Sequence, residues 1–153
     1  MHCRNPFPLP DRLDARLQPV VALWEGLKRG ENGIPFGDDL SVQSLAKLPG
    51  NPFLLSVSVS SERCRFEFLS DSLREVAVPG SFLDEISPNV NFAFVRAQSS
   101  ATLEAAAPTF LHLTQLSGYG FSRVLLPLWG NGQINMLLGA IDRYTVIHRV
   151  DAS

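Results

Sequence analysis

Two adjacent acid pairs, Asp38-Asp39 and Asp84-Glu85, are the candidate general bases of this chain. A carboxylate works as a base when an apolar cavity raises its pKa and a reacting proton lies within reach. Neither pair stands at a motif spacing from a His or a nucleophile. Both fall at turns or helix starts, where acids cap and solvate. His112, in Phe110-Leu111-His112-Leu113, has the neutral ring nitrogen that an axial haem ligand needs. A lone histidine favours the plainer reading, a hydrogen-bonded or partly exposed strand residue, and His2 and His148 sit near the termini. Cys64 reads as a buried structural cysteine, in keeping with how often free Cys is buried. Gly-x-Ser-x-Gly, His-Glu-x-x-His, Cys-x-x-Cys and a phosphate loop are all missing from the sequence. Gly130-Asn131-Gly132 links two expected strands rather than a strand and a helix, so it is a turn and not a nucleotide cradle. These residues point to a non-enzymatic domain.

Composition narrows the class further. The 153 residues are 45% hydrophobic and 18% charged with a formal net charge of −2, which excludes intrinsic disorder and argues against nucleic-acid binding. Arginines dominate the basic residues and are scattered, with Lys28 and Lys47 the only lysines, so no phosphate-binding stripe forms. Two cysteines, Cys3 and Cys64, make a disulfide framework improbable and fit a reducing, cytoplasmic setting. The Pro-rich start lacks the apolar run of a signal peptide. The longest apolar runs, Val124 to Trp129 and Met136 to Ile141, are strand-length and far short of the roughly 20 residues of a membrane span.

The elements that must position these residues follow from periodicity. An extended Pro-rich segment is expected over 1–10, an N-terminal helical segment over 11–48, a core over 49–146 and a tail over 147–153. Asp11 can cap a helix whose apolar stripe is Leu13, Leu17, Val20, Trp24 and Leu27, with Pro19 either kinking it or standing in the first turn of its main part. Gly30 and Gly33 end that stripe, and Ser41 caps a short helix through Val42, Leu45 and Leu48. From Phe53, Phe53, Leu55, Val57 and Val59 alternate with Leu54, Ser56, Ser58 and Ser60 as a strand. In the next strand Cys64, Phe66 and Phe68 face one way, Arg63, Arg65 and Glu67 the other. Short helices are expected around Asp71 to Val76 and Phe82 to Ile86, then one longer helix from about Asn89 to Glu104. A three-strand meander closes the core at 109–115, 121–129 and 133–143, with Asn131-Gly132 favouring a primed hairpin turn. Pro127 lacks an amide donor and predicts a bulge or an unpaired position.

Both parities of the last two strands are apolar. Val124, Leu126 and Leu128 oppose Phe121, Leu125 and Trp129; Ile134, Met136 and Leu138 oppose Leu137 and Ile141. One helical layer cannot bury two faces. Since each fully buried Leu or Trp contributes about 1.5–3 kcal/mol, the second face needs a cover. The N-terminal stripe supplies it, from its own chain or from a symmetry mate.

The element order, with Leu23-Trp24-Glu25-Gly26-Leu27-Lys28-Arg29-Gly30, Ile34-Pro35-Phe36-Gly37-Asp38-Asp39-Leu40 and Arg123-Val124-Leu125-Leu126-Pro127-Leu128, resembles a divergent proteobacterial, stand-alone branch of the PAS domain family over about Val20 to Tyr144. The chain departs from that branch in two places. Its second strand carries Arg63-Cys64-Arg65-Phe66 in place of an Arg-rich strand followed by a Gly-containing turn, and its polar hairpin is Trp129-Gly130-Asn131-Gly132. The resemblance implies an α+β fold: a five-stranded antiparallel sheet with short helices enclosing a pocket on one face, and an N-terminal helix for dimerisation or signal relay. Cys64-Arg65-Phe66 is similar to the Cys-Arg-Phe of flavin-binding photosensory PAS domains. There the triplet follows an Asn on a helix, whereas here it follows Arg63 on a strand, so flavin is disfavoured, as haem is.

The expectation is a sensory or regulatory PAS-like domain that binds a small apolar ligand or a protein partner and shifts its N-terminal helix. Strand parity nominates Phe66, Phe68, Phe94, His112, Val124, Leu126 and Met136 as pocket residues. Leu13, Leu17, Val20, Trp24 and Leu27 form the cover or a homodimer seam. About ten residues follow the last strand, so a separate effector protein or the other protomer is expected to carry any output; neither nucleic acid nor membrane is expected as a partner. Two competing readings are a ligand-free interaction or dimerisation module and a small α+β-cavity enzyme of isomerase or dehydratase type, which a buried carboxylate at Asp38, Asp84 or Glu85 would support.

Overall fold

The computed structural model describes residues 7–31, 33–58 and 63–145; His2, Cys3, Val59, Ser60 and His148 lie outside them. Five strands, β1 (Phe53–Ser58), β2 (Arg63–Leu69), β3 (Thr109–Thr114), β4 (Tyr119–Gly130) and β5 (Gln133–Thr145), pair antiparallel in the order β2-β1-β5-β4-β3. Asn131 and Gly132 both have positive φ, 54° and 80°, the primed turn that matches the twist of β4 and β5. The fold is α+β. Among the described residues no helix is long and apolar enough to cross a membrane.

Residues Phe121 to Leu128 are buried without a break, so the sheet is indeed covered on both faces. On one face, Phe53, Leu55, Phe66, Phe121, Leu125, Leu137 and Ile141 pack under the segments between β2 and β3. These include 3-10 turns at Asp71–Leu73, Leu83–Glu85 and Val90–Phe92 and a helix, here α3, at Val95–Ala105. On the other face, Leu54, Phe68, Val124, Leu126, Leu128, Leu138 and Ala140 meet Leu17, Val20, Trp24 and Leu45. That cover comes from the chain itself. Its helices are α1 (Gln18–Gly26), with Pro19 in the first turn as one alternative had it, and α2 (Val42–Ala46), whose Ser41 hydroxyl accepts from the Ser44 amide. Within α1, the Trp24 indole Nε1–H donates to the Pro127 carbonyl at 2.7 Å in the buried interface.

Pro127 stays in the ladder opposite Leu137 without a bulge, and the unpaired position expected as the alternative is found on its other side. β3 pairs with β4 only as far as Leu125, so the side of Pro127 that lacks a donor faces α1 rather than a strand. Two residues on, the Trp129 amide donates to the Pro35 carbonyl at 2.8 Å, and the 34–40 turn lies along this free edge.

Two bulges change which side chains share a face. Leu54 pairs with Phe68 and Leu55 with Phe66, so Glu67 is an extra residue, and Phe68 is turned away from Cys64 and Phe66 to the opposite core. Likewise Leu128 pairs with Met136 and Trp129 with Ile134, leaving Asn135 unpaired and turning Ile134 away from Met136.

The long helix expected over 89–104 is broken. Val90–Phe92 is a 3-10 turn, Phe94 is left-handed with φ 59°, and α3 starts at Val95. The carbonyls of Asn91 and Ala93, which a continuous helix would hand to its own amides, accept instead from the Arg123 guanidinium at 2.9 and 2.7 Å.

Gly139, central in β5 opposite Phe53 and Leu125, is required by close approach: a Cβ there would collide with the outer edge of the Phe53 ring. Gly139→Val is expected to lower stability by about 1–3 kcal/mol through overpacking, and Phe53→Leu in the same chain to recover part of the loss. Urea midpoints of the two single variants and the double variant check this; purely additive losses would contradict it.

Candidate functional site

A cleft of about 790 Å³ opens between α3 and the ends of the central strands. Helical spacing builds one wall: Arg96, Ser99, Ser100, Leu103 and Glu104 stand at i, i+3, i+4, i+7 and i+8, one face of α3. The opposite wall is Val57 of β1, Cys64 of β2, and Trp129 and Ile134 at the β4–β5 hairpin. The bulge at Asn135 is what points Ile134 here. Leu83 and Asp84 close one end from their 3-10 turn.

At the rim, Arg63 grips Asp84 with both prongs of its guanidinium, Nε to Oδ2 at 2.8 Å and Nη2 to Oδ1 at 2.7 Å, and lies 3.7 Å from the Phe82 ring centre. The Arg63 hydrogen bond holds the Asp84 carboxyl below the usual carboxylate range, and the Arg63 pKa rises in return. Burial pushes the Cys64 thiol pKa up while the Arg96 charge opposes it, so Cys64 stays a neutral thiol near pH 7. Arg96 is exposed and makes no salt bridge among the described residues. Ser99 is 3% exposed and its hydroxyl has no hydrogen-bond partner among them.

Behind the cleft lies a buried polar cluster. The fully buried Arg123 donates from Nε to Gln98 Oε1 at 2.8 Å as well as to the two carbonyls. Gln98 Nε2 donates to Thr109 Oγ1 and to the Arg123 carbonyl, and Thr102 Oγ1 donates to the Gln98 carbonyl. Burial pulls the Arg123 pKa down, to about 9, which still leaves a cation at neutral pH. Three acceptors satisfy it in place of a carboxylate.

None of the seven nominated pocket residues lines this cleft, and the structure does not bring them together. Phe66 is locked edge-on against Phe53 and Phe92, with ring centres 6.4 and 5.1 Å away, in a filled aromatic cluster. Phe68, Val124, Leu126 and Met136 belong to the opposite core, under α1 and α2. The nomination failed because the bulge at Glu67 flips Phe68 and because even-numbered β4 residues face α1. Phe94 is 64% exposed and borders an adjoining groove with Ile86 and Val90, which shares Leu83, Asp84 and Arg96 with the cleft. His112 is exposed near the far end of β4; its Nδ1 lies 2.9 Å from Ser122 Oγ and its Nε2 2.8 Å from the Tyr144 hydroxyl. The cover residues do come together: Leu17, Val20 and Trp24 are buried and Leu13 and Leu27 half-buried.

Of the acids, Asp39 pairs with Arg29, whose hydrogen bond lowers the carboxyl pKa, and Glu85 accepts from the Phe82 amide at 2.9 Å. No buried carboxylate lines the cleft among the described residues, and no group of three or more His, Cys, Asp or Glu there could hold a metal ion. The site residues missed by parity, Arg96, Ser99 and Leu103, carried a helical-spacing signal; Trp129 and Ile134 carried none, because a bulge aligns them. Comparison with protein-family models, with curated proteins and with solved structures found no match to this chain.

Proposed function

We propose that this chain is a non-enzymatic sensory or regulatory domain of PAS type, working in the cytoplasm, that binds a small, mainly apolar molecule in the cleft beneath α3 and relays the event through its N-terminal helix. The cleft itself carries the reading. Its volume falls in the range of small-molecule sites, and its lining sets apolar side chains, Val57, Leu83, Leu103, Trp129 and Ile134, beside charged and polar ones, among them Arg96, Ser99 and Ser100. The two-faced sheet and its three-strand closing meander agree with what the PAS resemblance implies.

The relay has a short physical route. Trp129 lines the cleft, its amide binds Pro35, and two residues earlier the Pro127 carbonyl holds the Trp24 indole. A ligand that displaces Trp129 therefore strains the docking of α1 and of the 34–40 turn. Homodimerisation through the N-terminal helix would use its outward face, since Val20 and Trp24 are buried against the sheet. A non-enzymatic role is supported by Asp84, whose lowered pKa makes it a poor base.

Native mass spectrometry of the purified protein, with thermal-shift measurements against a panel of apolar metabolites, tests the proposal. A co-purifying small molecule or a rise in Tm is the expected result. No bound species and no shift with any compound would sink ligand sensing and leave the interaction-module alternative standing.

A further inference from the structure

We infer that the ligand of the cleft is an amphipathic carboxylate, its anionic head held between Arg96 and Ser99 and its apolar tail running along Leu103, Trp129 and Ile134; this rests on the reading of the cleft as a small-molecule site. Two independent observations meet there. The Ser99 hydroxyl is buried, borders the cleft and has no partner among the described residues, and a buried polar group left unmade is costly unless an incoming group completes it. Arg96 stands one turn earlier on the same face of α3, without a carboxylate at salt-bridge distance among the described residues. One turn of helix spans about 5.4 Å, within reach of a single carboxylate bonded to both side chains.

The field across the cleft sets the direction. Arg96 sits in the first turn of the 11-residue α3, and that turn contains no acidic residue, so the helix dipole adds to its positive charge. Glu104 borders the other end of the same face and disfavours an anion there. Asp84 also feels the Arg96 charge, but both of its oxygens are held by Arg63 at the rim, so the Arg96 guanidinium makes no direct ion pair among the described residues and is left to take the head. The tail then meets apolar side chains.

Isothermal titration of the full chain with octanoate and with 1-octanol tests this. Octanoate is expected to bind about tenfold or more tighter than octanol, the effect of one charge-assisted contact. Arg96→Gln, at an exposed position that should leave the melting curve unchanged, is expected to bring octanoate down to the octanol level without moving octanol. Ser99→Ala gives a crossed signature: it removes the unpartnered hydroxyl, so the Tm of the free protein rises while octanoate binding weakens. Equal binding of both probes by the wild type, or an octanoate preference that survives Arg96→Gln, would overturn the carboxylate assignment while leaving the cleft a ligand site. Failure of both probes to bind would overturn the assignment together with the site.

Discussion

Arg123→Met is expected to destabilise the fold by about 3 kcal/mol, because it leaves the Asn91 and Ala93 carbonyls and the Gln98 amide oxygen without a donor in a dry interior. Charge-assisted hydrogen bonds contribute about 1.5–3 kcal/mol each, so three of them outweigh the relief gained by removing a desolvated cation. The damage should be local before it is global. Amide exchange should quicken over 90–98, where the carbonyls no longer have a reason to turn away from helix. Arg123→Lys is expected to rescue little, since an ammonium is a point donor and the native site uses a planar fork reaching three acceptors. Urea denaturation followed by circular dichroism measures the loss. A change below about 1 kcal/mol would show that the cluster does not hold the break before α3 in place.

Removal of the Trp24 side chain should have a comparable effect for a different reason. Trp24→Ala is expected to cost about 3–5 kcal/mol, as large-to-small core substitutions do. Trp24 is 1% exposed and packs with Leu17, Val20, Leu126 and Leu128 in the core between α1 and the sheet. Trp24→Phe keeps most of the apolar area and loses the bond to the Pro127 carbonyl, for an expected loss of about 1–2 kcal/mol. The difference between the two variants separates burial from hydrogen bonding. Binding of a hydrophobic dye should rise in Trp24→Ala, as the second sheet face opens while the strands remain. If Trp24→Ala unfolds at the wild-type urea concentration, α1 is not an integral cover of the sheet.

Together the two variants address the two cores on opposite sides of one sheet. Val124, Leu126 and Leu128 look toward Trp24, while Phe121, Arg123 and Leu125 look toward α3 and the segment before it. β4 touches both sides: the Pro127 carbonyl and the Trp129 amide bind the N-terminal segment, and Trp129 also lines the cleft.

Much of this was legible in residue order alone. Alternation over Phe53 to Ser58, the doubly apolar strands flanking Gly130-Asn131-Gly132, and the stripe Leu17, Val20, Trp24 dictate strands, hairpin and cover, because burial of apolar side chains is strong and repeats with the period of each element. Even the need for two layers followed from counting faces. What only the tertiary structure decided is where the period slips. Glu67 and Asn135 each add one residue against a partner strand, and a single extra residue exchanges the faces of all that follows, which moved Phe68 away from Phe66 and brought Ile134 beside Trp129. Arg123, 28 residues after Val95, broke a helix that its own segment favoured, because a buried guanidinium outbids local hydrogen bonds for two carbonyls. Periodicity reports an element's average environment; bulges and buried cations are settled by single long-range contacts, and those leave no period to read.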